Sequence, residues 1–262
     1  MTTDDATHEG IKTIEVEKPG KFSANSVLRV CIVTWNMNGK VSSRDLAQLV
    51  GDEQKYDLLV IGLQEVPRCN IAQLLQEVLV ETHSLLGESI MQSLQLFVFG
   101  PKNFDPLINK DKYSTGGLGG LIRRKKGAVA ISISFKGIRL VFICCHLSAH
   151  ARHVEERNAQ LRHISHSLFS NNPNPYARPS QITVWLGDLN YRIQGMDTFP
   201  VRNLIKRDLH KVRVPSWTDR ILFKIEKSGD VDATLHSYES LDHIHSSDHK
   251  PVKALLSLKL TD

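Results

Sequence analysis

The sequence predicts a single α/β domain with much of its strand content buried. Three observations predict it. Apolar runs of strand length recur along the chain. Stretches with helical spacing of apolar residues lie between them. No repeat, low-complexity tract or clear linker divides the 262 residues.

Residues 1–26 are polar and predict a flexible N-terminal segment, within which Ile11 to Val16 has the pattern of an edge strand. The domain, residues 27–262, opens on Val27 to Thr34, apolar enough for a buried strand, which ends in Trp35-Asn36-Met37-Asn38-Gly39. Asp57 to Leu63 reads the same way and ends in Gln64-Glu65-Val66-Pro67. Asn70 predicts the N-cap of a helix through about Leu86, with Ile71, Leu74, Leu75, Val78 and Leu79 on one face. Leu94 to Phe99 predicts a third strand, followed by a long loop to Gly120 rich in Gly, Asn, Asp and Lys. Gly127 to Ser134 and Ile138 to Cys145 predict a β-hairpin that ends in His146-Leu147-Ser148-Ala149-His150. Arg152 to Phe169 is charged and helical, and Asn171 to Ser180, with its prolines, predicts a surface loop. Then come a strand from Gln181 to Leu186, a helix from about Phe199 to His210, a strand from Arg220 to Ile225 and a last strand from Val252 to Leu260.

Hydrophobic residues at 41% and charged residues at 23% fit a globular protein with a sizeable core. The net charge of +5 suits a phosphate-rich partner: nucleic acid, inositol phosphate or an anionic membrane surface. Cys31, Cys69, Cys144 and Cys145 lack CxxC spacing, and two adjacent cysteines on a strand face opposite ways. A disulfide framework is therefore not expected, and a reducing, cytoplasmic setting is. The acidic, polar start is no secretory signal, and no apolar run is long enough to span a bilayer. The ending Leu260-Thr261-Asp262 is no prenylation box, and Thr2 stands where myristoylation needs Gly. Any membrane contact is expected to be peripheral.

The polar residues fall in a pattern. Asn36, Glu65, His146, Asp188 and Asn190 each sit just past the C-terminal end of an apolar strand. Asp219 and His249 lie just before the last two predicted strands. In a packed α/β domain such ends converge on one rim. Alone, each residue reads as a cap or turn; together, carboxylates, amides and imidazoles on one rim are costly unless they bind something. Oxygen donors without a cysteine ligand favour a hard cation, Mg²⁺ before Zn²⁺, with Glu65 the best single ligand candidate. Asp188 is placed to orient or deprotonate an attacking water, and Asn190, His146 and His249 to donate to phosphoryl oxygens. Asp219 or Asp248 would hold the His249 imidazole in its tautomer. The chemistry is metal-assisted phosphate hydrolysis.

Rival local readings are weaker. Cys144-Cys145-His146 and Asp242-His243-Ile244-His245 lack four-ligand zinc spacing. Gly116 to Gly120 has neither GK[ST] nor GxGxxG spacing and reads as a loop. Arg123 to Lys126 reads as a solvated charge run that would attract phosphates if it lay beside the rim.

These words resemble the inositol polyphosphate 5-phosphatases, within the DNase I-like endonuclease/exonuclease/phosphatase superfamily. The matching words are Thr34-Trp-Asn-Met-Asn38, Gly62-Leu-Gln-Glu-Val-Pro67, Lys126-Gly-Ala-Val-Ala130, His146-Leu-Ser-Ala-His150, Glu156-Arg-Asn158, Gly187-Asp-Leu-Asn-Tyr-Arg192, Val214-Pro-Ser-Trp-Thr-Asp-Arg220 and Ser247-Asp-His-Lys-Pro251. GDLN and SDH-like words are shared with abasic-site endonucleases and sphingomyelinases; GDLNYR and PSWTDRI are much more specific. The resemblance implies a four-layer sandwich, two packed mixed β-sheets flanked by helices. It implies Mg²⁺-dependent removal of the 5-phosphate from phosphoinositides or soluble inositol polyphosphates. On the matching positions, Asn36 and Glu65 fall on the metal side and Asp248 near the metal and its waters. Asp188 matches the water-activating acid, Asn190 its phosphate-binding neighbour, His249 the phosphate-stabilising imidazole, Asp219 its orienting partner and His146 a phosphate contact. Lys126, His150, Asn158 and Arg192 make up the implied substrate-binding set.

There are two departures. Lys125-Lys126-Gly127 stands where the family commonly has Asn-Lys-Gly. Between His210 and Pro215 the family usually has a much longer connection, with a Pro-Thr-Tyr-Lys-like segment that grips the neighbouring 4-phosphate. Lys211 and Arg213 replace only part of its charge. The alternatives are a catalytically impaired phosphoinositide-binding or regulatory isoform, and a DNase I-like nuclease. The latter is disfavoured by the absence of a basic, aromatic strip for bases, so no nucleic-acid partner is expected.

Overall fold

The computed structural model describes residues 27–51, 56–102, 107–114, 126–135, 138–168, 180–192, 217–226 and 231–260. Its first strands are β1 (Val27–Asn36), β2 (Leu58–Gln64), β3 (His83–Met91), β4 (Leu94–Pro101) and β5 (Leu107–Ser114). They are followed by β6 (Gly127–Phe135), β7 (Ile138–His146), β8 (Ile182–Asp188), β9 (Asp219–Ile225), β10 (Val231–Ser240) and β11 (Val252–Leu260). The described helices are α1 (Ser43–Val50), α2 (Ile71–Leu79) and α3 (Val154–Ser167).

The strands form a six-stranded sheet, order β10-β11-β1-β2-β4-β3, and a five-stranded sheet, order β5-β6-β7-β8-β9. Both are mixed: β1 runs parallel to β2 and β7 to β8, and the other pairs are antiparallel. The two parallel crossovers carry α1 and α3. One core lies between the sheets, where Val30, Ile32, Val60 and Val98 meet Val129, Phe142, Val184 and Leu186. A second packs α1 and α2 onto the outer face of the six-stranded sheet, through Leu46, Leu49, Leu75 and Leu79 against Val33, Trp35, Ile61 and Phe97. A third packs α3 onto the five-stranded sheet through Ile164, Leu168, Ile143 and Cys145. The result is the four-layer sandwich that the resemblance implies. β2 is buried along its length, as a central strand covered on both faces must be.

The structure corrects two local expectations and adds two elements. The helix expected to run to about Leu86 stops at Leu79, where Thr82 N–H closes on the Leu79 carbonyl, and the chain turns into β3. Pairing of β3 with β4 overrides the helical spacing. The long loop before Gly120 contains β5, whose Lys110, Asp111 and Lys112 suit an edge strand. α1, capped by Ser42 and ended by Gly51 at φ 69°, and the polar strand β10 were both unforeseen. The expected edge strand over Ile11 to Val16, the helix near Phe199 to His210, the prolines of the 171–180 loop and the Gly116–Gly120 stretch lie outside the described residues.

Cys144 and Cys145 face opposite ways, as expected. Cys144 joins the core between the sheets and Cys145 the core under α3. Burial pushes the Cys144 thiol up to about 12, so it is inert.

Gly187 shows how tightly the end of β8 is built. Its φ is 131°, and a Cβ there would stand 2.0 Å from the Cys145 carbonyl oxygen on the neighbouring strand. Gly187→Ala is expected to destabilise the protein by more than about 1 kcal/mol, because both backbone strain and a backbone clash oppose it. Chemical denaturation of the purified variant checks this.

Candidate active site

Ladder register gathers the predicted residues. In the five-stranded sheet, parallel pairing sets His146 opposite Asp188, and the antiparallel return sets Asp188 opposite Asp219. In the other sheet, parallel pairing sets Asn36 opposite Gln64, the residue before Glu65. β11 runs antiparallel to β1, with Val252 opposite Thr34, so His249 falls beyond the C-terminal end of β1. The sheets bring these ends to one rim.

Backbone at the rim is strained. Asn38 (φ 47°), Glu65 (φ 52°) and Asn190 (φ 55°) are all left-handed. Asn tolerates this region; Glu does so at greater cost, and such strain collects at functional sites. Gly39 N–H donates to the Glu65 carbonyl at 2.8 Å and Met37 N–H to that of Gln64 at 2.9 Å, pinning the turn.

Asp188 is the hub. Its Oδ2 accepts from Asn36 Nδ2 at 3.1 Å, and its Oδ1 accepts from the Asn190 backbone N–H at 3.1 Å. His146 Nε2 lies 3.5 Å from Asp188 Oδ2 and 3.9 Å from Glu65 Oε1, and hydrogen-bonds with the Lys126 ammonium. Asn190 Nδ2 donates to the Leu147 carbonyl at 3.0 Å. His249 Nδ1 meets Asp219 Oδ2 at 2.6 Å, and Thr218 Oγ1 donates to the same oxygen at 3.2 Å. One ligand atom from each of Asp188, Asp219 and His249 lies within 4.8 Å of the others. Asn38 ties in the metal-side residues: its N–H donates to Asn36 Oδ1 at 3.1 Å and its Nδ2 to Asp248 Oδ1 at 2.9 Å.

The charges have definite signs. Burial pushes the Asp188 carboxyl up, but its bond to His146 and the charges of His146, His249 and Lys126 outweigh burial and hold it at about 2. Burial raises Asp219, and Asp188 adds to the effect. Burial drives His146 down, reinforced by Lys126 and opposed by Asp188. His249 goes the other way: burial lowers it, but its bond to Asp219 and the surrounding carboxylates raise it above its ordinary 6.5. An ionised acid, a neutral imidazole beside an ammonium, and a proton-retaining imidazole on a carboxylate therefore share one rim. Such a set can orient a water and donate to phosphoryl oxygens.

Asp219→Asn tests the His249 assignment. Losing the carboxylate lowers the His249 pKa, so the proton it donates leaves at lower pH. Phosphate release is expected to fall by about 100-fold or more, and the alkaline limb of the pH–rate profile to move to lower pH. A pH–rate series on both proteins measures both effects.

Not every predicted residue joins this cluster. His150 is exposed at φ 73° and packs edge-on against His153, with ring centroids 5.6 Å apart. Asn158 Oδ1 accepts from Tyr191 OH at 2.6 Å, beneath the rim. Arg192 is exposed. Sequence reasoning missed three supporting residues. Asn38 bridges Asn36 and Asp248. Ser247 Oγ donates to the Asn36 carbonyl at 2.7 Å and accepts from His249 N–H at 3.1 Å. Trp35 Nε1 donates to the His249 carbonyl at 3.2 Å. All three lie in the matching sequence words, which was the available signal.

Comparison with known proteins gives a consistent answer. The model of endonuclease/exonuclease/phosphatase family 2 matches residues 33–212 and 208–255, in two pieces that meet at 208–212. The chain is similar to the type IV inositol polyphosphate 5-phosphatase 11 of Arabidopsis thaliana, 48% identical over 303 residues, covering 97% of this chain and 90% of that one. That alignment is longer than this chain of 262 residues, so the Arabidopsis protein carries residues with no counterpart here. The human phosphatidylinositol 4,5-bisphosphate 5-phosphatase A is 26% identical over 88% of this chain, which spans 31% of that larger protein. Among solved structures, the inositol polyphosphate 5-phosphatase domain of a synaptojanin, in complex with inositol (1,4)-bisphosphate and calcium ion, superposes with a TM-score of 0.66. It is 23% identical over 89% of this chain and 86% of that one. Cimex nitrophorin shares the fold at 17% identity and TM-score 0.71, over 90% of this chain and all of that one.

Proposed function

This chain belongs to the inositol polyphosphate 5-phosphatase family, and from that premise we propose Mg²⁺-dependent removal of the 5-phosphate from phosphoinositides or soluble inositol polyphosphates. The protein is a phosphatase, a phosphoric monoester hydrolase. The observation that carries the mechanism is the Asp219–His249 pair held within 4.8 Å of a depressed Asp188.

The residues fit a divalent cation. The donors facing the rim are carboxylate and amide oxygens, and Asp219 Oδ1 is buried with no hydrogen-bond partner among the described residues. Two buried carboxylates so close together are costly without a cation. The synaptojanin domain of the same fold was solved with calcium ion and a phosphorylated inositol. Glu65, Asn36 and Asp248 would hold the metal, and hard oxygen donors suit Mg²⁺. When bound, it would polarise the phosphoryl group and neutralise its charge.

The chain's own groups do the rest. Asp188, ionised across the working range, orients the attacking water and receives its proton. Asn190 Nδ2 spends one hydrogen on Leu147 and has a second for a phosphoryl oxygen. Asp219 fixes His249 with Nδ1 inward, leaving Nε2–H for the phosphoryl group. Lys126, bonded to His146, adds positive charge. Among the described residues no helix is long and apolar enough to cross a membrane. Peripheral attraction of this basic chain to an anionic cytoplasmic surface belongs to the same proposal.

A second reading, phosphoinositide binding with weak turnover, has its own support. The family match breaks at 208–212, and a relative carries residues this chain lacks. One experiment separates the readings. Phosphate release is measured across a phosphoinositide and inositol phosphate panel, beside binding to phosphoinositide vesicles and cleavage of abasic-site DNA. A version carrying a family-length connection is run in parallel. Release by the natural chain supports the phosphatase reading. Binding without release, restored by the longer connection, supports the second. Cleavage of the DNA alone would sink both.

A further inference from the structure

Arg157 is the most unusual residue outside the reacting groups. It lies on α3, and its side chain is 0% exposed. Among the described residues no carboxylate forms an ion pair with it, an expensive state for a guanidinium. Instead, Nη1 donates to the Ser148 carbonyl at 3.1 Å and the His150 carbonyl at 2.7 Å, and Nη2 to the Ala151 carbonyl at 3.3 Å. The Tyr191 ring covers it, with the centroid 5.0 Å from Cζ. Its Nε is buried and has no hydrogen-bond partner among the described residues.

Both sides of this clamp lead to Asn190. The gripped carbonyls follow Leu147, whose own carbonyl accepts from Asn190 Nδ2 and whose N–H donates to the Asp188 carbonyl at 3.1 Å. Tyr191 is the next residue after Asn190. Its OH donates to Asn158 Oδ1, and its carbonyl accepts from Arg220 Nη2 at 3.2 Å. Asn190 itself holds a left-handed backbone that its surroundings must enforce. If the 148–151 loop turns, the Leu147 carbonyl turns with it, and the amide hydrogen aimed at the phosphoryl group swings away.

We propose that Arg157 is a positioning residue for the phosphatase reaction, acting through Asn190 by holding the Leu147–Ala151 loop against Tyr191. The proposal rests on the phosphatase reading above. A double-mutant cycle tests it in the full chain, with kcat and KM for phosphate release from an inositol polyphosphate and a thermal melt for each variant. Arg157→Met keeps side-chain length and removes the fork. It is expected to lower kcat by about 10- to 100-fold, with KM changed by less than about 3-fold. In an Asn190→Ala background the same substitution is expected to cost less than about 3-fold, because the group it positions is gone. A folded Arg157→Met variant with unchanged kcat, or an equal loss in both backgrounds, would overturn the role. If Arg157→Met does not fold, Tyr191→Phe decides, since it keeps the ring and cuts only the bond to Asn158. A kcat loss that Asn190→Ala absorbs supports the role; no loss, or one that persists unchanged, overturns it. Wild-type protein that releases no phosphate would overturn the phosphatase reading and this role together, and the wild-type arm alone identifies that case.

Discussion

Asp188→Asn is expected to reduce phosphate release by about 1,000-fold or more while leaving the protein folded. The amide has nearly the same shape, and its single oxygen can still accept from Asn36 Nδ2 or from the Asn190 backbone N–H, though not from both. It cannot carry the charge that orients water and takes its proton. Acid titration gives an independent signature. The Asp188 carboxyl is lowered from 3.8 to about 2 in the folded protein. Its stabilising contribution is therefore present above pH 3.8 and lost as pH falls through about 2. The variant should lack that part of the acid-side loss of stability, measured by melting both proteins across this window.

Glu65→Gln is the second large effect. A neutral amide at this strained position keeps the turn but weakens the hardest donor on the metal side. The Mg²⁺ concentration for half-maximal release is expected to rise by about 100-fold, since even supporting residues around a metal change affinity by about 10- to 100-fold. Calorimetric titration with Mg²⁺ measures the loss without relying on turnover. A variant with unchanged Mg²⁺ affinity would move the metal away from Glu65, towards the Asp188, Asp219 and His249 cluster.

How far the sequence was legible follows from burial. The central strands β1, β2, β4, β7 and β8 are covered on both faces, so their apolar runs are nearly continuous and were read correctly. The three missed strands, β3, β5 and β10, are all edges of their sheets. An edge strand carries polar and charged residues such as Lys110, Asp111, Asp232 and Glu239, and loses the signal that identifies a strand. The site was legible because strand ends are the natural place for a rim, and Asn36, Glu65, His146 and Asp188 all sit there. Position along the chain does not reveal contacts across the sandwich. Asn38 reaching Asp248, Ser247 locking Asn36 and Arg157 beneath Tyr191 depend on packing between segments far apart in sequence. Asn158 shows the converse: its motif suggested substrate, whereas its carbonyl oxygen is engaged by Tyr191.

The most direct test of the central claim is regiochemical. The 262-residue protein is incubated with an inositol ring phosphorylated at positions 4 and 5, with Mg²⁺ or with a chelator, and the products are resolved by phosphorus NMR. The proposed function predicts loss of the 5-phosphate alone, only when Mg²⁺ is present, and none with Asp188→Asn. Folded protein that leaves the substrate intact with Mg²⁺, or that removes the 4-phosphate, would contradict it.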